Sequence, residues 1–460
     1  MIGLLKKADA VRAAIGAPLE KFFTGRIYPI VLAALVVIGH VSGFEFYFNF
    51  PVMLCAYLSL LFCKSIRGFL PVLLTILYQI NYTHAVSDYY FTGPVFVILV
   101  SQVVLLGICF IFFFARNVLP MISPRSPLFY PLAALCLAFL LGGAFSGEWI
   151  IKNLFYALLQ ILAYAVIFYT VYYSAVKEDR EQLLSYLTYL AAVVAAVIAA
   201  ELIALYAFGG VIVDGEIVKE NVHLGWGMWN PIGFSLTVLI PLIMRGAMVE
   251  KHRTVYLIAG ICTWICAILS MSRNAQLFST LAMAACVIIG AFCGKRKTLF
   301  RILLGIGITG VAAICILFYD KLIPLAEKFL YDNGRFDLWR TAVENFLEAP
   351  IFGKGFYGFG MGNVFASFLP WLAHNTVLEF MSATGIVGTL AYLYYRISTA
   401  IPFIRRMSYD RLMLALPILI TLGMSMIDNY VFHVYTTFVY SICLAVAFGL
   451  NDAGEERVKI

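Results

Sequence analysis

The chain has 460 residues, of which 63% are hydrophobic and only 12% are charged. A soluble domain is roughly 45–50% apolar and about 25% charged, so this composition excludes a soluble protein and indicates that lipid covers most of the apolar surface. The formal net charge of +7 does not indicate nucleic-acid binding, because the basic residues follow a membrane topology. We therefore predict an all-α polytopic membrane protein surrounded by a lipid bilayer.

The first 26 residues are basic and amphipathic. Their apolar residues recur at helical spacing, interspersed with Lys6, Lys7, Arg12, Lys21 and Arg26. This pattern is typical of a short helix that lies in the membrane interface. We predict a cytoplasmic interfacial helix over residues 1–26, with no cleavable signal peptide, followed by a single transmembrane domain over residues 27–460.

Apolar stretches then follow one another to the end of the chain. A spanning helix needs about 20 apolar residues, and some of these stretches are short or contain polar residues. We predict about fourteen transmembrane helices, with twelve or thirteen as alternatives. The stretches are 27–43, 48–63, 68–86, 93–115, 127–146, 153–175, 184–208, 226–245, 254–271, 275–294, 299–319, 374–395, 412–428 and 430–449.

The positions of the basic residues predict the orientation of these helices. If the N-terminus is inside and the fourteen stretches alternate, the inner segments hold 24 of the 32 Lys and Arg residues and the outer segments hold eight. Such an excess of basic residues on one side is the positive-inside signal of a membrane protein. Both termini are therefore predicted to be cytoplasmic.

Residues 320–373 form the longest predicted external segment, with a helix from Phe336 to Leu347 and then a glycine-rich run. Loops of this length are usually functional. Arg335 and Arg340 stand at the start of the helix, where a guanidinium could bind phosphate oxygens in a bidentate manner, although ion pairing within the helix is the alternative.

The glycine-rich run that follows this helix is a second candidate for anion binding. It opens with Gly353, Lys354 and Gly355. Glycines allow a backbone to approach a ligand and expose its N–H groups, although a flexible turn explains the pattern equally well.

Two further residues on the predicted outer face are candidates for chemistry. Arg273 lies in a short outer turn, against the charge bias, where it binds an anion or meets lipid headgroups. His374 opens a spanning helix and could transfer a proton near neutral pH, although a structural histidine is the alternative. The sequence has no external Asp-x-Asp pair and no phosphate-binding loop motif, so we expect neither a metal nor a cofactor.

Six short motifs occur in order over residues 226–395. This series resembles the O-antigen ligase and O-antigen polymerase superfamily of bacterial membrane glycosyltransferases, whereas the first 200 residues are similar to it only in spanning a membrane. The motifs are Asn230-Pro231, Ser272-Arg273, Arg335 with Trp339, Pro350 with Gly353 and Gly355, His374-Asn375, and Gly385 with Gly388.

The resemblance implies a function and roles for these residues. The donor would be a glycan on undecaprenyl diphosphate and the acceptor a sugar hydroxyl on another glycan, at the extracytoplasmic face of the bacterial inner membrane. Arg273 and Arg335 would bind the diphosphate, and His374 would act as the base. The further substrate-binding residues would be Arg340, Lys354, Asn375, Asn230, Gly353 and Gly355. A chain-length regulator or a flippase would be a possible partner.

Several alternatives stay open at this point. A polymerase, which extends a lipid-linked chain, is favoured over a ligase, which moves a finished chain onto lipid A core or another acceptor. A lipid-linked oligosaccharide flippase or transporter would carry charges near the bilayer midplane, and a non-catalytic scaffold is a further alternative. A cell-wall polymerase would be expected to use an external carboxylate, such as Asp88, Asp214 or Asp428.

Overall fold

The computed structural model describes residues 16–81, 90, 93–146, 149–317, 334–359, 372–405 and 408–450. These residues are mostly helical. Asp88 and most of the predicted interfacial helix at residues 1–26 lie outside the described residues, as do residues 318–333 and 360–371 of the predicted external segment.

The α-helices are labelled α1 to α17 in chain order. Their bounds are Gly16–Phe23 (α1), Ile27–Ser42 (α2), Glu45–Phe62 (α3), Leu70–Thr75 (α4), Gly93–Asn117 (α5), Phe129–Leu141 (α6), Ile151–Ile161 (α7), Ile167–Ala175 (α8), Arg180–Phe208 (α9), Trp229–Val249 (α10), Arg253–Leu269 (α11), Arg273–Cys293 (α12), Lys297–Leu317 (α13), Arg335–Glu348 (α14), Thr376–Arg405 (α15), Tyr409–Met424 (α16) and Val434–Gly449 (α17).

Each of the fourteen predicted stretches contains a helix, but the count of fourteen spans is not confirmed. Among the described residues, eight helices are long and apolar enough to cross a membrane, or nine if α1 and α2, which are bent by 67°, form one span. One of the eight is Ile151–Ala175, which comprises α7, the π-helix Leu162–Val166 and α8. Several of the other helices are short: α6, for example, covers Phe129–Leu141 and is therefore only about 20 Å long, against a hydrocarbon core of about 30 Å.

The exposed surface of α13 is apolar, as expected for a helix that contacts lipid. Ile302, Ile306, Ile308 and Val311 are each more than half exposed on this helix. Four such side chains on one helix would be unfavourable in water, because burying each in an apolar medium is worth about 1.5–3 kcal/mol. The helix therefore faces lipid, which agrees with the composition.

The described chain divides into two compact units. The first, unit 1, comprises the residues up to Ser126 together with Ile167–Ile232. In it α2 packs against α3 and α9, and α3 packs against α5. An antiparallel hairpin, Ile212–Val213 with Glu216–Ile217, follows α9.

Unit 2 comprises Pro127–Val166 and the residues from Gly233 onward. Here α15 packs against α6 and α14, whereas α16 packs against α12 and α17. Aromatic rings fill the centre: the ring centroids of Phe139 and Phe380 are 5.9 Å apart, and those of Phe380 and Phe432 are 4.8 Å apart. The prediction of a single transmembrane domain stays a prediction.

Candidate active site

Several of the predicted site residues of unit 2 lie near one loop, Ser425 to His433, which joins α16 to α17 and is called the 425–433 loop. Tyr156 and Gln160 of α7 both donate hydrogen bonds to its Phe432 carbonyl, each at 2.7 Å. The start of α15 is tied to the loop as well, because the N–H of Thr376 donates to the Ser425 carbonyl at 3.0 Å. These contacts fix the loop against two helices that are distant in sequence.

His374 lies two residues before the first residue of α15 and contacts this loop through its side chain. Its Nδ1 atom is 2.7 Å from the Oδ1 atom of Asp428. The His374 side chain is 42% exposed, whereas that of Asp428 is 6% exposed. The imidazole therefore has one nitrogen fixed by a buried carboxylate and enough exposure to meet a substrate.

The charge of Asp428 decides which nitrogen of His374 carries the proton. Burial by itself would raise the pKa of Asp428, but the hydrogen bond with His374, the nearby His374 and His433 and the N–H of Asn429 together hold that pKa below its usual value. An ionised carboxylate can only accept a hydrogen bond, so Nδ1 of His374 donates its proton. In the neutral form of this imidazole, Nε2 carries the lone pair and can accept a proton from a substrate.

The backbone is strained at the candidate residue His374 and close to the candidate Arg273. His374 has a φ of 52°, and Met271, two residues before Arg273, has a φ of 60°. A residue other than glycine in this left-handed region costs about 1–3 kcal/mol and persists only where its surroundings hold it. Asn375 is one such support, because its side chain donates to the Met426 carbonyl at 3.1 Å and accepts from the N–H of Val377 at 3.0 Å.

Positive charge is gathered around the 425–433 loop. Arg273 is the first residue of α12, and the next residue, Asn274, donates to the carbonyl of Met424 at 3.3 Å. The start of α12 therefore lies beside the loop. With α15 and α17 it is one of three helices whose positive N-terminal ends reach this region, where they favour an anion.

The positive charge of Arg335 affects a residue of the same loop, Tyr430. Burial raises the pKa of Tyr430 well above its usual value, the negative charge of Asp428 raises it further, and the positive charge of Arg335 lowers it. The guanidinium of Arg335, half-buried at the start of α14, is therefore within electrostatic reach of Tyr430. Tyr430 in turn stacks on Phe234, with ring centroids 4.0 Å apart.

The structure does not bring every predicted residue to this loop. Arg340 is exposed on α14. The Nζ atom of Lys354 is 2.5 Å from a carboxylate oxygen of Glu348, so its charge is at least partly neutralised. Asn230 belongs to unit 1 and is the second residue of α10. Their predicted substrate contacts stay predictions.

The glycine-rich turn at Pro350–Gly355 joins α14 to a break in α15. Gly385 has a φ of 63° and interrupts that helix, which leaves backbone groups without helical partners. The turn supplies partners for these groups. The N–H of Lys354 donates to the carbonyl of Ser382 at 2.8 Å, and the N–H of Ile386 donates to the carbonyl of Pro350 at 2.8 Å. The backbone of α15 thus pairs with the turn where it cannot pair with itself.

The hydrogen bonds of this turn correct the interpretation of Gly353 and Gly355 as backbone donors to substrate. Their N–H groups donate to the carbonyls of Ala349, at 2.8 Å, and Ala383, at 3.0 Å. A Cβ atom on Gly353 would lie 2.4 Å from the Ala383 backbone. The geometry therefore gives these glycines a role in close packing, which fixes α14 and its Arg335 relative to α15.

We expect Gly385→Ala to destabilise the protein. An alanine there would have a left-handed φ and a Cβ only 2.4 Å from the Ile351 carbonyl oxygen, which together cost at least about 2 kcal/mol. The thermal unfolding midpoint in detergent would fall. Gly307→Ala in α13 is the control, since its Cβ meets nothing within 4 Å; equal midpoints for the two variants would contradict this account of the turn.

Sequence patterns did not indicate the importance of the 425–433 loop. They pointed to Asp428 only as a carboxylate for the cell-wall polymerase alternative, and not to Asn429 or Tyr430. One signal was present, because Asp428-Asn429 is a polar pair that interrupts two short apolar stretches. The side-chain nitrogen and oxygen of Asn429, Nδ2 and Oδ1, are both buried without a hydrogen-bond partner among the described residues.

Comparison with known proteins adds an independent finding. Residues 258–393 match the family model described as O-antigen ligase. The matched region contains Arg273, Arg335 and His374 but ends before Asp428. No curated protein matches the chain. The match indicates a function of the O-antigen ligase or polymerase type, and it confirms the resemblance of this region to the O-antigen ligase and O-antigen polymerase superfamily that the motifs predict.

Proposed function

We propose that the protein is a metal-independent membrane glycosyltransferase that moves a glycan from an undecaprenyl-diphosphate carrier to a sugar hydroxyl of an acceptor glycan. The observation that carries the proposal is the contact of His374 with Asp428, in a loop that Arg335 and the N-terminal ends of α12, α15 and α17 approach. A base beside a cationic surface is what this reaction needs, because an acceptor hydroxyl loses a proton while a diphosphate leaves.

In the proposed reaction, Nε2 of His374 takes the proton of the acceptor hydroxyl. The hydroxyl oxygen attacks the anomeric carbon of the donor glycan from the side opposite the diphosphate, so the configuration at that carbon is inverted. The bond from the anomeric carbon to the diphosphate oxygen breaks, and its electron pair stays on the diphosphate. Arg273 and Arg335 stabilise that negative charge, and no nucleotide is consumed because the diphosphate is already a good leaving group.

The excess of basic residues in the inner segments supports an orientation in which the site faces the outside of the bacterial inner membrane and both termini are cytoplasmic. The donor would then be a glycan that a flippase has already moved outward. A chain-length regulator is a further partner in this proposal. Arg340, Lys354 and Asn230 are further candidates for contacts with the two glycans. Asn230 belongs to one of the six motifs, Arg340 directly follows Trp339, and Lys354 lies between Gly353 and Gly355.

We favour a polymerase of surface polysaccharide, of the O-antigen or capsule type, over a ligase. The test is the ladder of surface glycan lengths in a host that lacks this gene, with and without the wild-type gene restored. Loss of long chains while single repeat units are still attached would support the polymerase. Full-length chains that accumulate on the carrier lipid would support the ligase, and repeat units trapped on the inner leaflet would support a flippase instead.

A further inference from the structure

Glu379 is a carboxylic acid in the apolar interior of unit 2. It lies in the first turn of α15, and its side chain is fully buried. An ionisable group in a membrane helix is costly, so such groups are retained where they have a partner or a function. Glu379 takes no part in the proposed reaction.

The hydrogen bond of Glu379 goes to the backbone next to the candidate base. Its Oε2 atom accepts the N–H of Ala373 at 2.7 Å. Its other oxygen, Oε1, is buried and has no hydrogen-bond partner among the described residues. Ala373 is itself fully buried and immediately precedes His374. The carboxylate therefore holds the chain at the point where it turns into the strained conformation of His374.

Two supports then hold the turn at residues 373–375. On the side that follows His374, Asn375 bonds to Met426 and to the first N–H groups of α15. On the side that precedes it, Glu379 bonds to Ala373. With both in place, Nδ1 of His374 reaches Asp428. Without the bond from Glu379, the N–H of Ala373 would lose its acceptor, and fewer contacts would hold the left-handed φ of 52° at His374.

We propose that Glu379 is a positioning residue, which fixes the turn at residues 373–375 so that His374 keeps its hydrogen bond to Asp428. The inference rests on the proposed function for its effect on catalysis, but the positioning of the imidazole can be tested separately. The groups that face this imidazole are Asp428 and His433, both from the 425–433 loop.

Three variants separate this role from packing. Glu379→Leu keeps a large side chain but removes the acceptor. Glu379→Gln keeps an oxygen that can accept the N–H of Ala373. Phe380→Leu is the matched control, because Phe380 is also fully buried and is the adjacent residue of the same helix. It perturbs packing without removing the acceptor of Ala373.

The first readout is glycan transfer, measured by restoring each variant to a host that lacks the gene. We expect Glu379→Leu to lose about 10- to 100-fold in activity, the cost of leaving the buried N–H of Ala373 without its acceptor, whereas Glu379→Gln keeps most of it. The rise in unfolding temperature that undecaprenyl diphosphate causes in the purified protein should be the same in both variants and in the wild type. Loss of that rise in Glu379→Leu, or equal activity losses in Glu379→Leu and Phe380→Leu, would overturn the inference.

The second readout does not depend on activity. Diethyl pyrocarbonate modifies neutral imidazole nitrogen, and peptide mass spectrometry gives the rate at His374 alone. Loss of the bond to Asp428 makes Nε2 less basic, so Glu379→Leu should slow the modification of His374 as Asp428→Asn does. Glu379→Gln and Phe380→Leu should not slow it. If His374→Ala keeps full activity, the proposed function fails, and the modification rate still decides whether Glu379 positions the imidazole.

Discussion

We expect His374→Ala to lower glycan transfer by about 10²- to 10⁴-fold, which is the usual contribution of a positioned general base. The reason is the geometry at the 425–433 loop, where Nε2 is the nitrogen of His374 left able to accept a proton. The measurement is the glycan ladder in a host that lacks the gene, with protein levels checked by immunoblot. A stably expressed His374→Ala variant that restores the full ladder would remove His374 from the mechanism.

Asp428→Asn is the companion variant, and it tests the tautomer. The substitution keeps the size of the side chain but removes the negative charge that Nδ1–H of His374 donates to, and an amide N–H presented to Nδ1 would leave the proton on Nε2. Activity should fall nearly as far as in His374→Ala. Because the two residues act as one unit, the double variant should be no worse than the poorer single variant. Additive losses would mean that Asp428 acts independently of His374.

The second large effect is expected at Arg335. Arg335→Ala should lower transfer by about 10²- to 10³-fold, as the loss of a group that stabilises developing negative charge does. Arg335→Lys should be almost as poor, because an ammonium is a point charge and cannot make the bidentate contact of a guanidinium with phosphate oxygens.

Arg340 provides a matched control for this prediction. It lies on the same helix, α14, and is exposed, whereas Arg335 is half-buried and its charge reaches Tyr430. Arg340→Lys should leave the glycan ladder nearly unchanged, because an ammonium can still donate a hydrogen bond to a glycan hydroxyl and Arg340 is not proposed to bind the diphosphate. If Arg335→Lys restored full activity, bidentate binding would be the wrong explanation, and a loss at Arg340 equal to that at Arg335 would place the anion along the whole helix.

Local sequence patterns predicted most of the helices, because a helix with an apolar surface needs only its own hydrogen bonds and a lipid or protein neighbour. The predicted loop helix from Phe336 to Leu347 is present as Arg335–Glu348. The number of spans was harder to predict. Apolar composition alone does not reveal that Leu70–Thr75 ends after six residues, or that Gly385 breaks α15, since length and breaks depend on neighbouring elements.

Composition, charge bias and short-range order therefore predicted the membrane class, the orientation and the residue types of the candidate site: two arginines, a histidine and the glycines of the motifs. Which residues meet depends on the tertiary structure. Asp428 is 54 positions from His374, and no local pattern relates them. In the sequence, Gly353 and Gly355 resemble an anion-binding turn. In the structure, their N–H groups already donate to carbonyls of the protein, which the packing of the turn against α15 brings close. Contacts between distant segments depend on how whole helices pack, which short-range patterns do not encode.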